Sequence, residues 1–262
     1  MSTEFVSTVI DERGVATVTL DNPEKHNAFD DIIIAQLTAA FAEVEANVDA
    51  RVMVLASNGR NFSAGGDLNW MKRMAAYSHE ENLQDSRALA DMLRTLNFMT
   101  RPTIARIQGV AFGGAVGLVS CCDMAVASSK AMFCLSEVKI GLMPATISPY
   151  VVAAIGARAA RRYFTTAERF SAQQAQTMGL VSEVVDDGEL DAAVAALVDA
   201  ILVNSPAAVA ASKQLIFDVA DRPLDTELVE MTCQRIADIR ASTEGQEGLS
   251  AFLEKRKPSW IQ

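Results

Sequence analysis

The chain has 262 residues, of which 50% are hydrophobic and 21% are charged, an ordinary globular composition that can bury a substantial core. Its formal net charge of -10 argues against nonspecific nucleic-acid binding, because such binding needs basic side chains that neutralise phosphates. The N-terminal stretch has no apolar run typical of a secretory signal, and no uncharged stretch is long enough for a membrane span. We therefore expect a cytoplasmic protein without a membrane partner.

The cysteines are Cys121, Cys122, Cys134 and Cys233; they contain no CxxC pair, and no histidine lies at metal-ligand spacing from any of them. We expect no metal site. The four thiols are interpreted as buried small hydrophobic residues in a reducing compartment.

The first elements in chain order are strands and one helix. Residues 5–10 and 15–20 alternate apolar with polar side chains around DERG, which predicts a hairpin. Asp30 is placed to cap a helix whose apolar face includes Ile34, Leu37, Phe41 and Val44. A β-branched strand is predicted at 51–56, and the loop SNGRNFSAGGD follows it. Its glycines let the backbone approach a ligand closely.

The middle of the chain repeats strand, turn and helix. A polar helix at 79–99 ends before Pro102, and a strand at 103–107, a glycine-rich turn and a short helix at 114–121 follow. Further strands are predicted at 124–127 and 132–135. Such repeats indicate an α/β architecture with stacked turns. From about Leu190 the pattern is helical, and SerPro at 205–206 and ArgPro at 222–223 interrupt it, so we predict an α/β core at 1–203 and a C-terminal helical region at 204–262.

Two glycine-rich loops together can form an oxyanion site. Gly65 and Gly66 leave the backbone around Ala64 uncovered, and the pair Gly113 and Gly114 opens a helix. The N–H groups at a helix start have no partner within the helix and carry partial positive charge, which suits a developing oxyanion. For either loop alone, a tight turn that needs glycine is the alternative interpretation.

The strings NPEKHNAF, FSAGGDL, QGVAFGGAVGL, CDMAVAS and FCLSEVKIGLMP, with FLEKRKPSW near the end, resemble the enoyl-CoA hydratase and isomerase family, the crotonase family. The resemblance spans nearly the whole chain. It implies a spiral of ββα turns, a C-terminal helical trimerisation region, and assembly as a homotrimer or homohexamer. It also implies an acyl-CoA thioester substrate, with coenzyme A as part of that substrate and no separate cofactor.

Carried over residue by residue, the resemblance makes the Ala64 and Gly114 N–H groups the oxyanion hole for the thioester. The positions implied to bind the substrate and its CoA moiety are Lys25, Ala28, Ala64, Gly65, Gly66, Asp67, Leu68, Gly113, Gly114, Phe252 and Lys255. Phe252 and Lys255 would reach the ligand of the same or a neighbouring subunit. Two structural alternatives stay open, an N-cap role for Asp67 and a helix C-terminal role for Lys255.

Glu137 matches the glutamate of the family that exchanges a proton with the substrate carbon. Apolar neighbours in the sequence predict that its pKa is raised towards the working pH; they are Leu135, Val138, Ile140 and Leu142. It could then act as acid or base. His26 and His79 lie in no matching catalytic motif; we interpret His79 as a helix-start surface residue and His26 as part of the loop on the CoA side.

Position 117 departs from the family pattern. The family commonly has a second glutamate twenty residues before the first, and that position is Gly117. One carboxylate suffices for a Δ3-Δ2-enoyl-CoA isomerase, which moves a proton between two carbons. It also suffices for hydration if Glu137 both orients water and protonates the enolate, or if a substrate carboxylate helps. A scaffold without catalysis is the third alternative, and the retained Glu137 argues against it.

The stretch ISPYVV after GLMPA is similar to bacterial hydratases that act on branched glutaconyl-CoA thioesters, namely 3-methylglutaconyl-CoA in leucine breakdown or isohexenylglutaconyl-CoA in terpenoid breakdown. This resemblance favours hydration of such a substrate. Its distal carboxylate would call for a cation or several N–H donors in the acyl pocket. The cations nearby in the sequence are Lys139, Arg158, Arg161 and Arg162.

Overall fold

A computed structural model describes residues 4–261 of the chain. The helices within these residues are α1 Asp31–Ala46, α2 Leu68–Met74, α3 His79–Asn97, α4 Gly114–Cys121, α5 Ser148–Thr166, α6 Ala172–Met178, α7 Leu190–Leu202, α8 Pro206–Val219, α9 Thr226–Ala241 and α10 Thr243–Glu254. The strands are β1 Val6–Ile10, β2 Val15–Leu20, β3 Val52–Ser57, β4 Thr103–Ile107, β5 Val110–Phe112, β6 Met124–Ser128, β7 Met132–Cys134, β8 Phe170–Ser171 and β9 Glu183–Val185.

The larger sheet has six strands in the order β1-β2-β3-β4-β6-β9. β1 and β2 form an antiparallel hairpin, and every later neighbour is parallel. All six residues of β3 are buried, because a central parallel strand is covered on both faces. Helices α1, α3, α4 and α5 contribute to the main core, and α7 covers the other face through Leu190, Val194 and Val198.

A smaller sheet of three strands, in the order β5-β7-β8, lies beside the larger one. β5 and β7 are parallel, and β8 is antiparallel to β7. Two isolated parallel bridges, Phe29 with Gly66 and Ser63 with Ala111, extend this layer into the loop after β3. The second layer therefore brings three separate loops together at one end of the sheets.

The sequence predicted most of these elements. The hairpin, the α1 helix with its Asp30 cap, and the strands β3, β4, β6 and β7 are confirmed within one or two residues, as are α3 and α4. The mixed α/β class with a helical C-terminal part is also confirmed. The sequence missed β5, because its three residues lie inside the stretch that was predicted as a glycine-rich turn. The division at residue 204 remains a prediction.

One interpretation of the cysteines is wrong. Cys121 and Cys134 are buried and Cys122 is half-buried, but Cys233 is exposed on α9. Burial raises the pKa of Cys122 to about 12, which keeps that thiol protonated.

Among residues 4–261, no single helix has both the length and the apolar character to cross a membrane; one bent pair, Asp187–Leu202 with Pro206–Val219, meets the criteria when taken together.

Candidate active site

A cavity of about 210 Å³ lies where the loop after β3, the start of α4 and the turn after β7 meet. Helices α2 and α3 close one side of it, and the segment that leads into α5 closes another. Six of the predicted site residues line it: Ala64, Gly65, Gly66, Gly113, Gly114 and Glu137. The second layer of the fold thus brings together both glycine-rich loops and the predicted acid.

The first predicted oxyanion donor is corrected by the backbone hydrogen bonds. The Ala64 N–H donates to the His26 carbonyl at 3.0 Å, and the Gly65 N–H donates to the Ser63 hydroxyl at 3.2 Å. The Gly66 N–H has no acceptor among the described residues. Parallel pairing with Phe29 fixes the peptides on either side of it. Gly66, rather than Ala64, is therefore the residue of this loop whose N–H is free to meet a ligand.

The second donor agrees with the prediction. Gly114 is the first residue of α4, and its N–H has no acceptor within the described part of the chain. The preceding Gly113 has φ +57, and its own N–H donates to the Cys134 carbonyl at 2.8 Å. A methyl group on Gly114 would lie 2.5 Å from Cζ of Phe29, so glycine is required there by packing. The helix start supplies an N–H aligned with the positive end of the helix dipole.

Glu137 begins a 3-10 turn directly after β7 and lines the cavity beside the α4 start. A methyl group placed on Gly113 would lie 3.4 Å from the Oε1 atom of Glu137. The Oε2 atom is buried and has no hydrogen-bond partner in the described structure. Burial raises the pKa of Glu137, against a hydrogen bond from its own backbone N–H that lowers it. The predicted direction of the pKa shift is confirmed, so this carboxyl group keeps its proton to a higher pH than an ordinary glutamate does.

The apolar setting of Glu137 differs in detail from the prediction. Of the neighbours in the sequence, Leu135 is buried, but Val138, Ile140 and Leu142 are partly exposed. Ile140 and Leu142 line the cavity, together with residues that the sequence did not suggest: Phe29, Trp70, Met71, Leu89 and Ile147. These come from distant segments, and only the fold brings them to the carboxyl group.

The site that would hold a side chain at position 117 is filled by another residue. Gly117 lies on α4, and a methyl group there would be 2.3 Å from Cγ2 of the buried Ile147 and 3.5 Å from Leu93. Ile147 precedes α5 and lines the cavity. Position 117 therefore packs directly against the Ile147 side chain, and a glutamate side chain has no room there.

The cavity holds another carboxyl group that the sequence did not indicate. Asp85 lies on α3, among the residues that line the cavity, and accepts a 3.0 Å hydrogen bond from Nε1 of Trp70. No motif marks it in the sequence, because it is one of several acidic residues along a polar helix.

The loop on the predicted CoA side is held by Asp67. Its side chain accepts hydrogen bonds from the N–H groups of Asn69 and Trp70, which confirms the predicted N-cap, and it forms an ion pair with Lys25 at 3.2 Å. Burial opposes these contacts, but together they lower the pKa of Asp67. Lys25 is half-exposed, Ala28 is half-buried and Leu68 is exposed, and none of the three lines the cavity.

The predicted C-terminal contacts are absent from the cavity within the described chain. Phe252 is 82% exposed on α10, and Lys255 ends that helix with φ +56. Neither lines the cavity. Lys139, Arg158, Arg161 and Arg162 do not line it either, and the described lining residues include no lysine or arginine.

Comparisons with known proteins identify the family and the fold of this chain. The family model for enoyl-CoA hydratase/isomerase matches residues 11–262. The chain is 31% identical to 1,2-epoxyphenylacetyl-CoA isomerase of Escherichia coli K12 over 260 residues, which is 98% of each protein. The crystal structure of an enoyl-CoA hydratase from Shewanella pealeana shares 47% identity at a TM-score of 0.95, covering 99% of this chain and 97% of that chain.

A third relative, AtuE of Pseudomonas aeruginosa, has a TM-score of 0.94 and 32% identity over 99% of this chain and 100% of its own. These similarities confirm the predicted crotonase fold over nearly the whole length. The chain belongs to the enoyl-CoA hydratase/isomerase (crotonase) family of acyl-CoA enzymes.

Proposed function

We propose that this protein is a hydro-lyase that adds water reversibly across the C2-C3 double bond of an enoyl-CoA thioester. The observation that carries the proposal is the placement of the buried, unpartnered Oε2 atom of Glu137 in the same cavity as the free N–H groups of Gly66 and Gly114. An acid and two oxyanion donors in one apolar cavity suit a reaction through a thioester enolate.

In the proposed reaction, the thioester oxygen accepts hydrogen bonds from the Gly66 and Gly114 N–H groups. Water adds to C3, and the electrons of the double bond move to form an enolate whose negative charge is held by those donors. In this proposal Glu137 starts with a proton, the form towards which burial shifts its pKa, and it gives that proton to C2. In the reverse direction it removes the same proton.

We propose a branched glutaconyl-CoA, such as 3-methylglutaconyl-CoA, as the substrate. The support is the similarity of the ISPYVV stretch to hydratases for such substrates. The described cavity offers no cation to a distal carboxylate, but Pro144 to Ile147 line it immediately before α5 begins at Ser148. Ser148 donates its N–H to the Ala145 carbonyl and Pro149 has no N–H, so the N–H groups of Thr146 and Ile147, which have no acceptor among the described residues, would be the donors for the distal group.

A double-bond isomerase is the second candidate. It is favoured by the absence of a carboxylate at Gly117, because moving a proton between two carbons needs only one acid. Glu137 alone would then take a proton from C2 of a 3-enoyl-CoA, through the same thioester enolate, and return it at C4, so that the double bond moves from C3-C4 to C2-C3. A non-catalytic acyl-CoA-binding scaffold is disfavoured, because a scaffold has no use for a buried carboxyl group beside two free N–H groups.

We propose that the protein assembles as a homotrimer or homohexamer, as its family usually does. The exposed apolar side chains on α10 support this proposal, since Leu249, Phe252 and Leu253 are each at least half exposed in the single chain. An apolar helix face of this kind suits burial between subunits. In such an assembly Phe252 and Lys255 could approach the acyl-CoA of a neighbouring subunit.

The experiment is an assay of the purified protein with crotonyl-CoA, 3-methylglutaconyl-CoA and a 3-enoyl-CoA in ¹⁸O-labelled water. Hydration adds one labelled oxygen to the product, whereas isomerisation adds none. Glu137→Gln is expected to abolish turnover while acyl-CoA binding changes only a few-fold, and Glu183→Gln on β9, an exposed position, is the matched control. Full activity of Glu137→Gln, or unlabelled products from every substrate, contradicts the proposal.

A further inference from the structure

The carboxyl group of Asp85 shares one cavity with Glu137 but belongs to a different element. Asp85 lies on α3, on the side of the cavity that α2 and α3 close, and Glu137 lies in the turn after β7. No hydrogen bond joins the two groups in the described structure. Two acids that line one cavity from separate elements without touching leave space for a substrate between them.

The packing around Gly117 leaves no room for a second acid at that position of α4, and Asp85 of α3 is the other carboxyl group among the described lining residues. Ile147 occupies the site where a side chain at 117 would lie, and Leu93 of α3 closes it from the other side. Leu93, Leu89 and Asp85 are spaced by four residues along α3, so they follow one face of the helix. Asp85 is therefore about 12 Å along the helix axis from the closed site, at the part of this face that reaches the open cavity.

A buried indole fixes the orientation of Asp85. Trp70 is 5% exposed, and its Nε1–H donates to Oδ1 of Asp85 at 3.0 Å. Trp70 is in turn held at the start of α2, where its backbone N–H donates to the capping Asp67. The Oδ2 atom of Asp85 has no partner among the residues that the structure describes. One oxygen is thus held by the protein, and the other is available to water.

We propose that Asp85 is the general base of hydration, the group that removes a proton from the attacking water, in place of the carboxylate that Gly117 lacks. This role rests on the proposed hydratase function. As the oxygen of water bonds to C3, one of its protons moves to Oδ2 of Asp85 and the C2-C3 π electrons pass into the enolate. Glu137 then protonates C2. The proton on Asp85 returns to Glu137 through solvent, so each turnover consumes one water.

The surroundings of Asp85 are consistent with a base. Burial raises its pKa, which makes the ionised carboxylate a stronger base, while the hydrogen bond from Trp70 acts in the opposite direction. Asp31 also raises this pKa and Arg73 lowers it, and those two residues form an ion pair with each other on the outer side of the helices.

The test separates hydration from enolate formation. Hydration of an enoyl-CoA needs both acids, but exchange of the C2 protons of butyryl-CoA in D₂O needs only Glu137 and the oxyanion donors. We expect Asp85→Asn to lower hydration by roughly 100-fold or more and to change exchange by less than about three-fold. Asparagine keeps an oxygen that can accept the Trp70 hydrogen bond, so the packing of α2 on α3 is retained. Asp91→Asn, on an exposed turn of the same helix, is the control and should change neither rate.

Trp70→Phe provides a second, independent variant. It removes the indole donor but leaves the carboxylate of Asp85, so we expect a smaller loss of hydration, about ten-fold, with exchange retained. If Asp85→Asn keeps its hydration rate, the proposed role of Asp85 is overturned, while the proposed hydratase function stands. If Asp85→Asn loses hydration and exchange equally, the proposed role of Asp85 is also overturned, because an equal loss indicates a structural effect on the whole site. If the wild-type protein exchanges C2 protons but hydrates no enoyl-CoA, the proposed function itself fails.

Discussion

Gly117 and Ile147 compete for one site, since a methyl group on Gly117 would lie 2.3 Å from Cγ2 and 2.8 Å from Cβ of Ile147. The two residues belong to different helical segments, at α4 and immediately before α5. A glutamate at position 117 and an isoleucine at position 147 exclude each other.

Gly117→Glu is therefore expected to destabilise the protein without raising hydration. Overpacking of a filled core typically costs about 1–3 kcal/mol, and a buried charge adds to that cost. Thermal unfolding measures this cost as a fall in melting temperature. Gly117→Glu should lower the melting temperature less when it is added to Ile147→Gly than when it is added to the wild-type protein, because Ile147→Gly opens the space beside position 117. Equal losses in both backgrounds would show that the two residues do not interact.

The free N–H of Gly66 gives a prediction about the oxyanion hole. Gly66→Pro removes the donor and is expected to lower kcat by roughly 100- to 1000-fold, with a smaller change in acyl-CoA binding. Gly66→Ala keeps the N–H, and its methyl group would lie 3.1 Å from the flexible end of Met71 and in ordinary contact with the Trp70 ring at 3.6 Å, so most activity should remain. Steady-state kinetics of the two variants check this. Equal kinetics would place the donor elsewhere, for example at Ala64.

The raised pKa of Glu137 predicts how stability depends on pH. A carboxyl group with a raised pKa in the folded state favours folding most below its usual value of 4.5, and that contribution is lost as pH rises through the folded pKa. Glutamine has no proton to lose. The melting temperature of Glu137→Gln should therefore exceed that of the wild-type protein at neutral pH, with the gap closing towards pH 4.5. A gap that is constant across this range would contradict the shift.

Asp67 has two roles that substitutions can separate. Asp67→Ala removes the cap of α2 and is expected to cost about 0.5–2 kcal/mol, whereas asparagine keeps the cap and loses only the ion pair with Lys25. Chemical denaturation should place Asp67→Asn close to the wild-type protein. Since the pKa of Asp67 is lowered, the contribution of its charge is present above the usual value of 3.8 and is lost as pH falls through the lowered pKa. If Asp67→Asn and Asp67→Ala destabilise the protein to a similar extent, the stabilising contribution of Asp67 comes from its negative charge rather than from the helix cap.

The exposure of Phe252 predicts a role between subunits. If the chain forms a trimer or hexamer, Phe252→Ser should lower activity or weaken assembly, because 82% of this residue is exposed in the single chain and would be buried in the assembly. Sedimentation velocity gives the mass of the assembly, and the same sample gives the activity. Val48→Ser, at an equally exposed position outside the C-terminal helices, is the control. Unchanged mass and activity in Phe252→Ser would remove this residue from the proposed site.

Local sequence determined much of this fold. The hairpin, the capped α1, the buried β3 and the helix that opens at Gly114 follow from alternation, capping residues and glycine, which act over a few residues. The motif around Glu137 likewise placed the acid and the direction of its pKa shift. Weak or short elements were missed, because three residues of β5 carry too little periodicity to distinguish a strand from a turn.

Only the tertiary structure decided which backbone donors are free and what accompanies Glu137. Ala64 and Gly66 are two residues apart in one glycine-rich loop, and the difference between them depends on pairing with His26 and Phe29, which come from an earlier segment. The filling of the Gly117 site by Ile147 and the approach of Asp85 through Trp70 join segments far apart in the chain. The sequence by itself determined the family and one candidate acid, while contacts between distant segments decided which groups surround that acid, because no local pattern records them.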